Sequence, residues 1–215
     1  MTISDLLLLI TVFITVVALL GGASYLARRR WRPLRRILLA LGVFLGSYAA
    51  VLVTVSLTSP QQVLGPHQVR CFDDWCLSLQ RVARRRAVGR WPHVATARGQ
   101  FYLVTVEVSS RARGISQRAV DARVYLLDAN GQRYDPDADA RHALDATGGG
   151  GQPLDTELPP AGSFTHTVAF DVPIEGRPRG LVVVHGLFPA VLVIGDPQSL
   201  LHKPTLLALG DDADR

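Results

Sequence analysis

Cys71 and Cys76 are the cysteines of this chain, spaced C-x4-C around Phe72-Asp73-Asp74-Trp75. In an oxidising compartment, two thiols so close across a turn form a disulfide that locks a hairpin. The sharper alternatives are a redox pair or, with His67, a metal site. Redox pairs use C-x-x-C, and zinc wants four ligands where three are at hand, so the disulfide is expected. Asp135, Asp137 and Asp139 have the alternate spacing of a calcium loop, and Asp145 follows them. Ala140 stands where such a loop needs Gly, and Ala146 where it needs a bidentate Glu. A solvated acidic segment, free to serve as a binding loop, is the expectation. His142, His166 and His185 lack an H-x-x-x-H spacing and read as structural. Arg81, Arg84, Arg85, Arg86 and Arg90, with Trp91, form a basic cluster that fits a solvated strand or, alternatively, contact with anionic headgroups or an acidic partner. H-E-x-x-H, G-x-S-x-G and the phosphate-loop pattern are missing, and Lys203 is the one lysine. The Gly run at 148–151 has no helix pattern after it to make a phosphate cradle. Neither catalysis nor a cofactor is expected.

What must hold these residues is partly a membrane structure. Of 215 residues 48% are hydrophobic and 19% charged, and the excess is concentrated in 6–27 and 37–58. Each run has the roughly 20 residues that cross a bilayer as a helix. Residues 1–58 are therefore expected to form a transmembrane hairpin. The first run lacks a basic start and a small-residue cleavage site, which a removable signal peptide would need. Between the runs, 28–36 carries Arg28, Arg29, Arg30, Arg32, Arg35 and Arg36. A short basic loop stays cytoplasmic, so both termini face outward. The net charge of +5 comes from this loop, since acids and bases balance beyond residue 58. The basic balance thus implies no nucleic-acid partner. Ala18 and Gly22 in one span, and Gly42, Gly46 and Ala50 in the other, form small-residue rows suited to sealing the hairpin or to a dimer face. Neither span holds Asp, Glu, Lys, Arg or His, so an anchor is expected and an ion path is not.

Residues 59–66 read as a turn-rich linker, after which continuous apolarity gives way to alternation. Tyr102, Val104, Val106 and Val108 share one face of a half-buried strand, opposite Thr105 and Glu107. Phe164, His166, Val168 and Phe170 do the same over 163–172. Further strands are expected over 75–82, 120–127, 181–184 and 190–194, with Asn130-Gly131 as a hairpin turn. No soluble helix is expected. The pattern predicts one antiparallel β-sandwich over 67–209. Within it, 135–153 reads as a mobile loop that tolerates deletion of 147–152, and 210–215 as a polar tail.

Three stretches carry a resemblance: Gly-Gln-Phe-Tyr-Leu-Val-Thr-Val-Glu-Val from Gly99, Leu126-x-Asp128-x-x-Gly131, and the Leu158-x-Pro160-x-Gly162 turn leading to Phe170-Asp171-Val172-Pro173. Over roughly 99–185 the chain resembles the bacterial telokin-like, immunoglobulin-related domains of unknown function found on lipoproteins and membrane-tethered proteins. The resemblance implies an antiparallel immunoglobulin-like sandwich in an extracytoplasmic setting, and it brings no catalytic residues. Two transmembrane helices plus this all-β domain make a membrane-tethered binding or assembly module of the bacterial envelope the expected function. Its expected partners are the membrane and an envelope protein or surface ligand. The alternative is an envelope ligand sensor or metal-handling protein using the acidic loop and the histidines.

Overall fold

A computed structural model of the chain describes residues 3–72 and 74–210. Asp73 and the tail beyond Gly210 lie outside the described residues. The chain divides into two compact units. One comprises the chain up to Pro60 together with Leu187–Pro204, and the other comprises Gln61–Gly186 with the chain from Thr205 onward. The continuous 67–209 domain of the sequence reading is thus interrupted, because 187–204 packs with the helices.

In the helical unit, α1 spans Ile3–Ala27 and α2 spans Trp31–Thr58, both long and apolar enough to cross a membrane. The basic loop contracts to Arg28, Arg29 and Arg30. Arg32, Arg35 and Arg36 lie in the opening turns of α2, where Pro33 is tolerated because a first-turn N–H has no intrahelical acceptor. Among the less exposed positions are Leu8, Thr11, Thr15, Ala18, Gly22 and Tyr25 of α1 and Leu34, Ile37, Leu41, Phe44 and Tyr48 of α2. Both sets alternate steps of three and four, the spacing of a coiled-coil seam. Small residues of α1 oppose large ones of α2; a Cβ on Gly22 would lie 3.4 Å from Leu34 Cδ1. The buried Thr11 returns its hydroxyl to the Leu7 carbonyl at 2.8 Å, so the seam carries no orphan donor there. Ala18 and Gly22 lie in this seam. Gly42, Gly46 and Ala50, which the sequence left to the hairpin or to a dimer face, do not. They are exposed, and a Cβ at either glycine meets nothing within 4 Å, because the heptad seam and not the GxxxG row faces α1.

The second unit is a β-sandwich. Among the described residues its strands are β1 (Val63–Leu64), β2 (Val69–Phe72), β3 (Trp75–Arg90), β4 (His93–Ser110), β5 (Arg123–Asp128), β6 (Arg133–Tyr134), β7 (Ser163–Val172), β8 (Pro178–Val184) and β9 (Leu206–Ala208). One sheet runs β1-β9-β8-β5-β6, the other β2-β3-β4-β7. Alternation puts Leu77, Leu79, Val104, Val106, Val108, Phe170 and Val172 on the inner face of the second sheet. They share one core with Val124, Leu126, Leu181, Val183 and Leu207 of the first. The pairing is antiparallel except for β1 and β9, which run parallel with Val63 opposite Leu206. The expected linker thus contributes a short edge strand. The strand expected at 75–82 continues to Arg90 and turns through Trp91-Pro92 into β4 as a long hairpin. No strand forms at 190–194, which is held in turns by bonds such as Val193 N–H to the Ala190 carbonyl, 3.0 Å.

The expected mobile loop is instead built structure. Helix α3 (Ala138–Ala146) starts at Asp137, whose carboxylate accepts the Ala140 N–H at 2.8 Å. Ala140, Ala143 and Leu144, at helical spacing, pack on Val88, Ala95, Phe101 and Ala169, covering the outer face of the second sheet. The helix closes as Gly149 N–H bonds the Leu144 carbonyl at 2.9 Å, with Gly148 at φ +71. The glycine run then lies along β7: Thr167 N–H donates to Gly150 O at 2.8 Å and Gln152 N–H to Thr165 O at 3.1 Å. Gly151 sits at φ +70 with its α-carbon so near the Thr165 carbonyl that a Cβ would collide with it. The run covers the edge of β7, so deleting 147–152 would strip that strand's outer partner.

Candidate functional site

Two concavities flank α3 on the sandwich. The larger, about 660 Å³, is an open groove between the tip of the β3–β4 hairpin, α3 and the end of β7. Pro92, His93, Arg98, Asp137, Asp139, His142 and Asp171 line it. Its best-built element is Asp171, which accepts Arg98 N–H at 2.9 Å, Gly99 N–H at 3.0 Å and Arg98 Nε at 3.4 Å. Partial burial alone would raise this carboxyl, but the two backbone donors and the guanidinium outweigh it and hold it below the ordinary carboxylate range. The residue belongs to the Phe-Asp-Val-Pro stretch that carried the resemblance. Its task is to clamp the β4 backbone where Gly99 passes so close to Val172 that no side chain fits.

The smaller cleft, about 240 Å³, lies on the other side of the same segment. Arg123, Arg133, Asp135 and Arg141 surround it, and Ala122, Val124, Leu154, Val168 and His166 complete its walls. Arg133 grips Asp135 through Nε at 2.7 Å and lies over the Tyr125 ring at 4.2 Å. His166, on the inner face of β7, has a buried Nδ1 with no hydrogen-bond partner. Burial pushes its pKa down and Arg141 adds to this; Asp145 and the backbone of Gln152 and Gly150 oppose it without reversing it. The net effect favours the neutral imidazole. Guanidinium groups above an apolar pocket with one unspent imidazole nitrogen suit a small ligand bearing an anionic group.

The four acidic residues of the expected binding loop are separated by this folding. Asp135 is spent on Arg133, Asp137 caps α3, Asp139 occupies the helix's first turn, and Asp145 lies near its other end. Among the described residues no three His, Cys, Asp or Glu side chains are arranged to hold a metal ion. The alternate Asp spacing falls on a helix start, with Asp137 as its cap. Cys71 and Cys76 are joined in a disulfide and pair in register across β2 and β3. Below the bridge Phe72 stacks on Trp75 at 4.7 Å, and His185 meets the Trp75 ring edge-on at 5.1 Å, a packing role. The basic cluster lies on β3, with Arg81, Arg85, Arg86 and Arg90 exposed and Arg84 over the Tyr102 ring at 5.1 Å. Arg98, Arg123, Arg133 and Arg141 were not singled out by sequence reasoning, and Asp171 entered only as a member of the resembling stretch. Isolated charges on strands and on a short helix give no local signal of convergence.

No family and no curated protein matches the chain. Among solved structures it is similar to a conserved hypothetical protein from Bacillus anthracis, at 17% identity over 56% of this chain and 88% of that one, TM-score 0.43. A secreted protein from Mycobacterium tuberculosis gives 16% identity over 60% and 93%, TM-score 0.43. An uncharacterised β-sandwich protein from Clostridium difficile gives 8% over 59% and 89%, TM-score 0.40. The β-sandwich assignment rests on the chain's own two sheets and their shared core.

Proposed function

We propose that the chain is a membrane-tethered, extracytoplasmic binding or assembly module of the bacterial cell envelope, without catalysis. In this reading α1 and α2 span the cytoplasmic membrane and present an immunoglobulin-related, telokin-like sandwich on its outer side. The observation that carries it is the joining, in one chain, of two lipid-length helices linked by exposed Arg28, Arg29 and Arg30 to a separate sandwich with a disulfide. Two independent rules then favour the same side: basic loops stay in the cytoplasm, and disulfides persist outside it. The binding surface is the pair of concavities beside α3, where charged groups converge on a rigid scaffold. The unpartnered Nδ1 of His166 favours a second reading, an envelope sensor of a small anionic ligand.

The test has two parts. A reporter active only outside the membrane should work when fused after Arg215 and stay silent at Trp31; the opposite pattern overturns the topology. A photoreactive residue replacing Arg123, at the mouth of the cleft, should capture a defined envelope component in intact cells. Capture of nothing, together with turnover of a substrate by the purified chain, would replace the binding module with an enzyme.

A further inference from the structure

Residues 187–204, which leave the sandwich after β8 and return to it at β9, pack with the apolar helices. Tyr48 donates its hydroxyl to the Leu192 carbonyl at 2.7 Å, and the buried Ser56 and Ser199 hydroxyls meet at 2.9 Å. No Asp, Glu, Lys or Arg occurs from Gly180 to Gly195. Val193 and Ser199 are buried against this unit, while Phe188 is 77% and Leu201 58% exposed, with Leu192 and Leu200 exposed beside them. The backbone is closed in turns: Leu192 N–H to Pro189 O at 2.9 Å, Leu200 N–H to Val191 O at 3.0 Å, and Ser199 N–H to Asp196 O at 2.9 Å.

We infer that 187–204 is an interfacial membrane segment, seated beside α2 with Phe188, Leu192, Leu200 and Leu201 in the lipid at the boundary of headgroups and acyl chains. The inference rests on α1 and α2 spanning the bilayer. Depth decides it. α2 has 28 residues, about 42 Å of helix against roughly 30 Å of hydrocarbon, an excess of about eight residues. With the apolar run 37–58 in the hydrocarbon, Ser56 lies about 3 Å and Tyr48 about 15 Å below its outer edge, so the segment that both hold begins at the boundary and dips below it. A segment brought to that level must carry apolar side chains outward and close its backbone; this one exposes Phe188, Leu192, Leu200 and Leu201 and closes part of its backbone in the turns above. Asp196 lies within the segment and Lys203 near its end, and charged side chains there must reach the headgroups.

The experiment uses the full chain in bilayer discs of phosphatidylcholine and phosphatidylglycerol, with a polarity-sensitive fluorophore on one introduced cysteine. Cys71 and Cys76, being bridged, do not react. Phe188→Cys and Leu201→Cys test the segment; Phe13→Cys marks α1 and Ile174→Cys an exposed sandwich loop, all four sites being exposed and tolerant. Labels at 188 and 201 should be quenched by shallow spin-labelled lipids and protected several-fold from aqueous iodide relative to 174. If they are as open to iodide as 174 while 13 is lipid-quenched, the spans stand and the interfacial segment is wrong. If 13 is also unquenched by lipid, the membrane reading fails and this inference with it. Protection of 188 and 201 from both quenchers would mean that protein covers the segment, which overturns the lipid assignment.

Discussion

Replacing Asp171 with Ala tests whether the clamp at the end of β7 acts through backbone donors or through its ion pair. The side chain of Asp171 is 11% exposed and that of Arg98 93%. A hydrogen bond to a charged acceptor contributes about 1.5–3 kcal/mol, and the two N–H groups of Arg98 and Gly99 both depend on this carboxylate. Water at the groove edge recovers part of the loss, so Asp171→Ala should cost about 2–4 kcal/mol. For a domain of this size that lowers the melting temperature by about 6–12 °C. Arg98→Ala removes only an exposed ion pair, and such pairs contribute about 0–1 kcal/mol. Asp171→Asn keeps one acceptor oxygen and should fall between. Urea or thermal unfolding of the full chain, followed by fluorescence of the buried Trp75, measures all three. The pH dependence has a definite sign. Because the folded carboxyl titrates below its unfolded value of about 3.9, its stabilisation is complete above that pH and is lost as pH falls through the folded pKa. The gap between wild type and Asp171→Ala should therefore close under acid conditions. If Arg98→Ala costs as much as Asp171→Ala, or the gap is unchanged at low pH, the backbone-clamp reasoning is refuted.

Burial lowers the pKa of His166, so its contribution to stability is present above the unfolded value of about 6.5 and declines as pH falls through the lower folded value. His166→Gln should flatten that slope in unfolding curves taken from pH 7 to 5. Protein isolated without reductant should show no alkylation at Cys71 or Cys76, and replacing both with Ser should cost about 2 kcal/mol, the loop entropy of so short a bridge. Gly151→Ala places a Cβ against the Thr165 carbonyl at positive φ and should cost at least about 2–3 kcal/mol. Gly131→Ala, also at positive φ but in open space, should cost only about 1 kcal/mol; equal melting temperatures would show that the glycine run is not held against β7.

Local chemistry made several features legible without coordinates. Length and apolarity suffice for α1 and α2, since a helix that satisfies its own backbone needs no partner to be recognised. Period-two alternation sufficed for the inner face at Tyr102, Val104, Val106 and Val108, because a strand shows each face only to alternate residues. Closeness in sequence sufficed for Cys71 and Cys76. Other features depended on what lies opposite a residue. Gly42 and Gly46 have the packing motif, yet α1 meets the heptad row beside them, a choice between two helix faces that each helix alone leaves open. Ala140, Ala143 and Leu144 are too few apolar residues to announce a helix amid Asp, Pro and Gly; they hold one because Phe101 and Val88 offer a face to cover. Ala190 to Ile194 alternates no better than a strand or a turn would, and its place was decided by Tyr48 and Ser56, more than a hundred residues away. Arg123, Arg133, Arg141 and His166 converge on one cleft only because β5, β6, α3 and β7 meet there. Self-satisfying structure was determined by the sequence alone, whereas every feature that exists through a distant neighbour waited for the tertiary fold.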